Sequence, residues 1–184
     1  MTDLALTPPT IHQEPGPAFS PEQRRFQGIP GIEACGDRLW ATWYAGGDGE
    51  GPWNHVVVAM SDDGAATWRD PVLVIDHPEP DVRCYDPAIW RDPTGRLWAF
   101  WAQTLDGWDG RSGVWAVRCD EPTAAELTWS PPRRLADGIM LNKPTVLSDG
   151  AWLMPASIWP RDPKHPDMDG KRLRMSGRPQ GEIL

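Results

Sequence analysis

The sequence predicts an all-β protein built from repeated units of short strands, and three observations support this prediction. Short apolar runs alternate with turn residues along most of the chain. A proline-containing segment recurs three times, with Pro30, Pro87 and Pro144 each 57 residues apart. The 21 Pro and 18 Gly residues punctuate the apolar runs and do not replace them. Four short strands per repeat at this period are typical of a β-propeller blade.

Composition and charge restrict the classes of function. The formal net charge is −8, which disfavours a nucleic-acid partner. No apolar run is long enough to cross a bilayer, and the first residues lack the features of a signal peptide. We therefore expect no membrane partner and a cytoplasmic location. Cys35, Cys84 and Cys119 are odd in number and far apart, which favours buried, reduced thiols. The histidines show no metal spacing, so we expect no metal and no cofactor.

The repeats divide the chain into an arm and a partial propeller. Residues 1–25 are rich in proline and lack hydrophobic periodicity, which predicts an extended N-terminal arm. Residues 26–184 then hold blades at about 26–80, 81–137 and 138–160, followed by a polar tail. This is about two and a half four-stranded blades, whereas propellers close with roughly four to eight. An open blade edge exposes unpaired backbone groups, so self-association through such edges is possible.

The loop at residues 61–68 reads Ser-Asp-Asp-Gly-Ala-Ala-Thr-Trp and joins two apolar runs. In such a loop Asp63 can accept hydrogen bonds from nearby amides, Gly64 can take a positive φ, and Trp68 can fold under the turn as an apolar plug. The motif resembles the Asp box of the bacterial neuraminidase (BNR) repeats of sialidase-type β-propellers. The resemblance covers residues 26 to about 160. It implies a six-bladed propeller, of which this chain is an apparently truncated member.

The resemblance also implies a chemistry. Sialidase-like enzymes cleave terminal sugars, usually sialic acid, with an arginine triad for the sugar carboxylate, a Tyr/Glu nucleophile pair and an Asp acid/base. The first arginine of the triad lies in the motif F-R-I-P, and here Gly28 stands at that position, between Gln27 and Ile29. A glycine cannot replace a bidentate guanidinium. The sequence therefore leaves open a neutral sugar or an acidic sugar bound in another way.

The candidate catalytic residues lie in the loop at residues 44–55, which follows the second strand of the first blade. By position Asp48 resembles the family's acid/base, and Glu50 is the second candidate. The loop glycines allow close approach of a ligand to the backbone, and Trp53 can stack on a sugar face. The alternative interpretation is a solvent-exposed connector whose acidic residues only add solubility.

Candidate sugar-binding residues lie where the inner strands begin and on the equivalent loop of the second blade. Asp86 could act as a base or a hydrogen-bond acceptor, and Arg83 and Lys143 could hold a carboxylate or sulfate. Turn capping and surface ion pairs are the alternative. The full set of candidate binding residues is Gln27, Trp53, Arg83, Asp86, Trp108, Asn142 and Lys143.

Three functions stay open, all with a carbohydrate or protein partner. The first is a sialidase-like exo-glycosidase, in which one carboxyl protonates the glycosidic oxygen and a second group acts on the anomeric carbon. The second is a non-catalytic propeller fragment that binds a glycan or a protein through its exposed blade edges. The third is a polysaccharide lyase on the same fold, which needs a Tyr or His base and a group that neutralises a carboxylate.

Overall fold

The computed structural model describes residues 4–105 and 111–159, and its regular elements are short 3-10 turns and β-strands. The 3-10 turns are Leu4–Leu6, Pro17–Phe19 and Pro21–Gln23. The strands are β1 (Thr10–His12), β2 (Gln27–Cys35), β3 (Arg38–Ala45), β4 (His55–Ser61), β5 (Arg69–Asp76), β6 (Val82–Arg91), β7 (Leu97–Leu105), β8 (Gly113–Cys119), β9 (Arg133–Asp137), β10 (Ile139–Met140), β11 (Thr145–Val146), β12 (Trp152–Leu153) and β13 (Ala156–Ser157). The all-β prediction is confirmed.

Two antiparallel sheets form the first two blades of a partial β-propeller. The first sheet has the order β1-β5-β4-β3-β2, and the second has the order β6-β7-β8-β9. Strand β4 is buried at every position because its β-branched run packs on both faces of the sheet. The third unit forms only two-residue ladders among the described residues, β10 with β13 and β11 with β12.

The inner strands β2 and β6 lie side by side, and a shared hydrophobic core fills the space between the two blades. Trp40 of the first blade contacts Trp129 of the second edge to face, with ring centroids 5.9 Å apart. A second core cluster lies between the second blade and the third unit, where Trp152 contacts Trp90 and Trp98. The recurring tryptophans thus pack neighbouring units together.

Each inner strand carries a bulge at the recurring proline. The register of β2 shifts between Gly28 and Gly31, and that of β6 shifts between Tyr85 and Ala88. The residue before the proline has a positive φ in both bulges, 48° at Ile29 and 46° at Asp86. A bulge re-aims the side chains around it. The prolines that lie 57 residues apart, Pro30 and Pro87, therefore mark the same backbone feature, a bulge in the inner strand of each blade.

The loop at residues 61–68 is closed by polar contacts. Asp63 accepts hydrogen bonds from the Ser61 hydroxyl (2.8 Å), the Thr67 amide (2.9 Å) and the Thr67 hydroxyl (2.6 Å). These bonds, from Thr67 first, lower the pKa of the Asp63 carboxyl to about 2. Gly64 has a φ of 69°, as predicted. The prediction that Trp68 plugs the turn is wrong, because its side chain is 38 % exposed and the polar network closes the loop without it.

The N-terminal segment is bound to both blades. Strand β1 pairs with β5 at the outer edge of the first sheet. The amide of Gln103, a fully buried residue of the second blade, donates hydrogen bonds to the carbonyls of Ala5 (3.1 Å) and Thr7 (2.8 Å). The three cysteines are buried free thiols, as predicted. No helix within the described ranges is long and apolar enough to span a bilayer.

Candidate functional site

The loop between β3 and β4 is held in place by Asn54, which is fully buried. The Asn54 side chain accepts a hydrogen bond from the Gly51 amide (2.8 Å) and donates to the carbonyls of Gly46 (3.1 Å) and Gly49 (3.0 Å). The backbone carbonyl of Asn54 accepts a hydrogen bond from the backbone amide of Cys84 in β6 (3.0 Å). One side chain thus shapes the loop, and one backbone bond fixes the loop to the start of the second blade.

Trp53 is packed against the glycines of this loop. A Cβ atom at Gly47 or Gly51 would clash with the indole, so both positions must lack a side chain. The indole Nε1 lies 3.4 Å from the Gly49 carbonyl, and the side chain stays 54 % exposed. The loop therefore presents a large aromatic surface to solvent next to the candidate acidic residues.

Arg83 lies at the start of β6, and its side chain is only 3 % exposed. Its guanidinium carbon sits 4.0 Å from the ring centroid of Tyr85 and 5.8 Å from that of Tyr44, so both tyrosines of the chain contact it. Its Nη1 lies 3.7 Å from Oε2 of Glu50, which is longer than a direct hydrogen bond. Its Nε and Nη2 atoms are buried and have no hydrogen-bond partner within residues 4–105 and 111–159.

Glu50 connects the loop to this arginine. Its Oε1 accepts a hydrogen bond from the Tyr44 hydroxyl (2.9 Å), while its Oε2 faces Arg83. Burial, and then the bond to Glu50, raise the pKa of the Tyr44 phenol well above its usual range. The Tyr44 ring also lies over Gly28, where a Cβ atom would be 3.1 Å from the ring and the hydroxyl. The Tyr44 side chain thus packs against Gly28, the position that resembles the family's first arginine.

Asp86 lies in the bulge of β6 and is 8 % exposed. Burial raises the pKa of its carboxyl from 3.8 to about 6; Arg83 opposes this change and Glu50 reinforces it. Its carboxyl group makes no hydrogen bond with another residue of the described part of the chain. A positive φ is more acceptable for Asp than for most residues, since Asp visits the left-handed region several times more often. The bulge therefore holds a buried acid close to Arg83 and Glu50.

The structure brings together Glu50, Arg83 and Asp86 and places Asp48 and Lys143 elsewhere. Asp48 is 73 % exposed and forms an ion pair with Arg25 (2.8 Å), so it lies in solvent. Lys143 donates to the Ile32 carbonyl and to Glu33, at the other end of β2 from Gln27. Of the remaining predicted residues, Gln27 and Asn142 are exposed, Trp53 shares the loop of Glu50, and Trp108 lies outside the described residues.

Two further residues, Tyr44 and Asn54, shape the candidate site, and the sequence pattern did not single them out. Tyr44 is the first residue of the loop at residues 44–55, and both tyrosines of the chain contact Arg83. Asn54 is the one asparagine in the glycine-rich loop, which could have marked it as the residue that shapes the turn. Within the described ranges, no group of three or more His, Cys, Asp or Glu residues could hold a metal ion.

Comparisons with known proteins agree with this architecture. The Hadza microbial sialidase superposes with a TM-score of 0.58 at 17 % identity over 74 % of this chain and 33 % of its own. A Trypanosoma rangeli sialidase in complex with sialic acid gives 0.56 at 17 % identity over 73 % and 26 %. A second Trypanosoma rangeli sialidase structure gives 0.51 at 17 % identity over 72 % and 26 %.

At this level of identity the superpositions show the fold, which is that of a sialidase propeller. The chain spans about a quarter to a third of the length of these sialidases. No curated protein matches the chain. Residues 37–178, more than half of the chain, match the family described as the BNR repeat-like domain. The predicted resemblance is confirmed, and the chain belongs to the family of BNR repeat-like domains.

Proposed function

We propose that the chain acts as a sialidase-like exo-glycosidase on terminal sugars and that Glu50, Arg83 and Asp86 form its sugar-binding site. The observation that carries this proposal is the buried guanidinium of Arg83, which has two nitrogens without a hydrogen-bond partner within the described residues. Asp86, three residues later in the chain, is 8 % exposed. Buried polar groups are normally paired, because leaving one unpaired costs about 1–3 kcal/mol. A bound sugar would supply the missing partners.

The arrangement supplies the two carboxyl groups that glycoside hydrolysis needs. With a pKa of about 6, Asp86 holds its proton in mildly acidic solution and can donate it to a glycosidic oxygen. Glu50, positioned by the Tyr44 hydroxyl and by Arg83, supplies the second carboxyl group. Asp48 is the position that resembles the family's acid/base, but its ion pair with Arg25 in solvent favours Asp86 for that role.

Turnover of paired substrates tests this proposal. An alkyl glycoside needs protonation of its leaving group, whereas a nitrophenyl glycoside needs little. We expect Asp86→Asn to lower kcat on the alkyl glycoside by about 100-fold or more and on the nitrophenyl glycoside by less than about tenfold. Asp48→Asn is the matched control and should change both rates by less than about twofold. The reverse ranking of the two variants would move the acid role to Asp48.

A second candidate is sugar binding without catalysis. It is favoured by the solvent-exposed ion pair of Asp48, which leaves the residue that resembles the family's acid/base outside the cluster. Binding of a sugar with no turnover of any nitrophenyl glycoside would support it. We also propose a cytoplasmic location and self-association through exposed blade edges.

The lyase alternative is less favoured by the described residues. The Tyr44 hydroxyl donates a hydrogen bond to Glu50, and the pKa of its phenol is raised, so it is a poor base. His55 is buried, and burial lowers its pKa to about 4, which makes it a weak base as well. Formation of an unsaturated uronate, followed by its ultraviolet absorbance, would instead support the lyase.

A further inference from the structure

The hydrogen-bonding groups around Arg83 select the chemistry of the ligand. We propose that this site binds an uncharged, hydroxyl-rich sugar and discriminates against a carboxylated one. The inference rests on the proposed function, because it names the substrate class of the same site. It is carried by the positions of one guanidinium and two carboxyl groups within a single cluster.

The hydrogen-bonding groups of the cluster are of both kinds, donor and acceptor. Arg83 has two buried N–H groups without a partner within the described residues, at Nε and Nη2. The carboxyl oxygens of Asp86, a residue that is 8 % exposed, are acceptors in the same cluster. A hydroxyl group both donates and accepts a hydrogen bond, so neighbouring sugar hydroxyls can satisfy the arginine and the carboxylate together. A ligand carboxylate can only accept. It would pair with Arg83 and leave Asp86 without a donor.

The charges of the cluster point the same way. The single positive charge of Arg83 already faces Glu50 at 3.7 Å, and Asp86 lies close enough to both for their charges to alter its pKa. Once Asp86 is ionised, the cluster carries one positive and two negative charges. A second anion brought to the guanidinium would lie beside two like charges, which is unfavourable.

Two basic side chains that could offset this field are paired elsewhere. Arg25 is paired with Asp48 and Lys143 with Glu33. The Tyr44 ring lies against Gly28, the position that resembles the family's first arginine. Within the described residues, neither Arg25 nor Lys143 thus adds its positive charge to this site.

Trp53 supplies the remaining feature of a neutral-sugar site. Its indole is 54 % exposed and belongs to the same Asn54-held loop as Glu50. A pyranose has an apolar C–H face that stacks on an aromatic ring while its hydroxyls make hydrogen bonds at the ring edge. A stacking surface beside donors and acceptors therefore fits an uncharged sugar.

Matched pairs of methyl glycosides test this inference on the full chain. Methyl glucoside and methyl glucuronide differ only in a CH₂OH group against a carboxylate, and methyl galactoside and methyl galacturonide form a second pair. We expect the neutral member of at least one pair to bind at least about tenfold more tightly at pH 8, measured by isothermal titration at fixed ionic strength. Perturbation of the Trp53 indole resonance by the same ligand would locate binding at this site.

Two further measurements separate charge from shape. At pH 5, where Asp86 is largely protonated, the preference of the wild-type chain for the neutral sugar should fall at least about threefold. Glu50→Gln should reduce the preference at pH 8 in the same direction, whereas Glu126→Gln, on an exposed loop of the second blade, should not change it. A preference that stays constant in both measurements would overturn the inference.

The outcomes also distinguish this inference from the proposed function. Equal or tighter binding of the carboxylated sugars at the Trp53 loop would overturn the neutral-sugar inference and leave the proposed glycosidase intact. Binding of no pyranoside, neutral or acidic, would overturn the proposed function and this inference with it.

Discussion

The ionisation of Asp86 couples the stability of the protein to pH. Burial raises the pKa of this carboxyl from 3.8 to about 6, so the folded protein binds the proton more tightly than the unfolded chain. The favourable contribution is complete below the unfolded pKa and is lost as the pH rises to the folded pKa. A difference of about two pKa values corresponds to about 3 kcal/mol of lost stability above pH 6.

Asp86→Asn removes this titration with little change in shape, and Asn also accepts a positive φ. We expect the variant to be more stable than the wild type by less than about 1 kcal/mol at pH 4 and by about 3 kcal/mol at pH 7.5. Denaturant unfolding followed by tryptophan fluorescence measures both differences. Asp81→Asn, which removes an exposed carboxylate nearby, is the control and should show no such trend. A stability difference for Asp86→Asn that does not grow with pH would refute the reasoning.

Three further predictions concern the fold. The buried carboxylate of Asp92 accepts five hydrogen bonds from residues 94–98, at the turn between β6 and β7. Asp92→Ala should therefore lower the free energy of unfolding, measured in urea, by about 3 kcal/mol, and a loss below about 1 kcal/mol would contradict this. Arg38 donates hydrogen bonds to two backbone carbonyls of the second blade. Arg38→Met should lower the free energy of unfolding by about 1–2 kcal/mol and so lower the melting temperature, and an unchanged melting temperature would show that these hydrogen bonds do not stabilise the fold. Gly64→Val should cost at least about 1–2 kcal/mol because of its positive φ; Gly16→Val, at an ordinary φ, is the control, and equal effects would count against the loop geometry.

The blade architecture was readable from the sequence because local signals agreed with it. The repeated proline marks a bulge with a positive φ in both inner strands, at Ile29 and Asp86, so the spacing reports a real backbone feature. The third unit, predicted around Pro144, pairs only through two-residue ladders within the described residues. The side chains of β11 are exposed. A strand that buries neither face gains little from packing, and sequence pattern alone does not reveal that.

The site was predictable as a set of residues but not as an assembly. Glu50 and Asp48 are two residues apart in one loop, yet only Glu50 meets Arg83, because that contact crosses from the first blade to the second. From the sequence, Arg83 and Lys143 were equivalent candidates, because both lie at the start of an inner strand. Lys143 instead pairs with Glu33 across the units. Such choices depend on contacts between residues far apart in the chain, which motif spacing does not encode.

The contact between Gln103 and the N-terminal segment has a consequence for synthesis on the ribosome. The carbonyls of Ala5 and Thr7 receive their hydrogen bonds from a side chain almost one hundred residues later. Strand β1 can pair with β5 once residue 76 has left the exit tunnel, but the segment before it must wait until the second blade has emerged. The segment around Ala5 and Thr7 is thus fixed only after almost one hundred later residues have been made. Until then the nascent protein exposes this segment to proteases and chaperones.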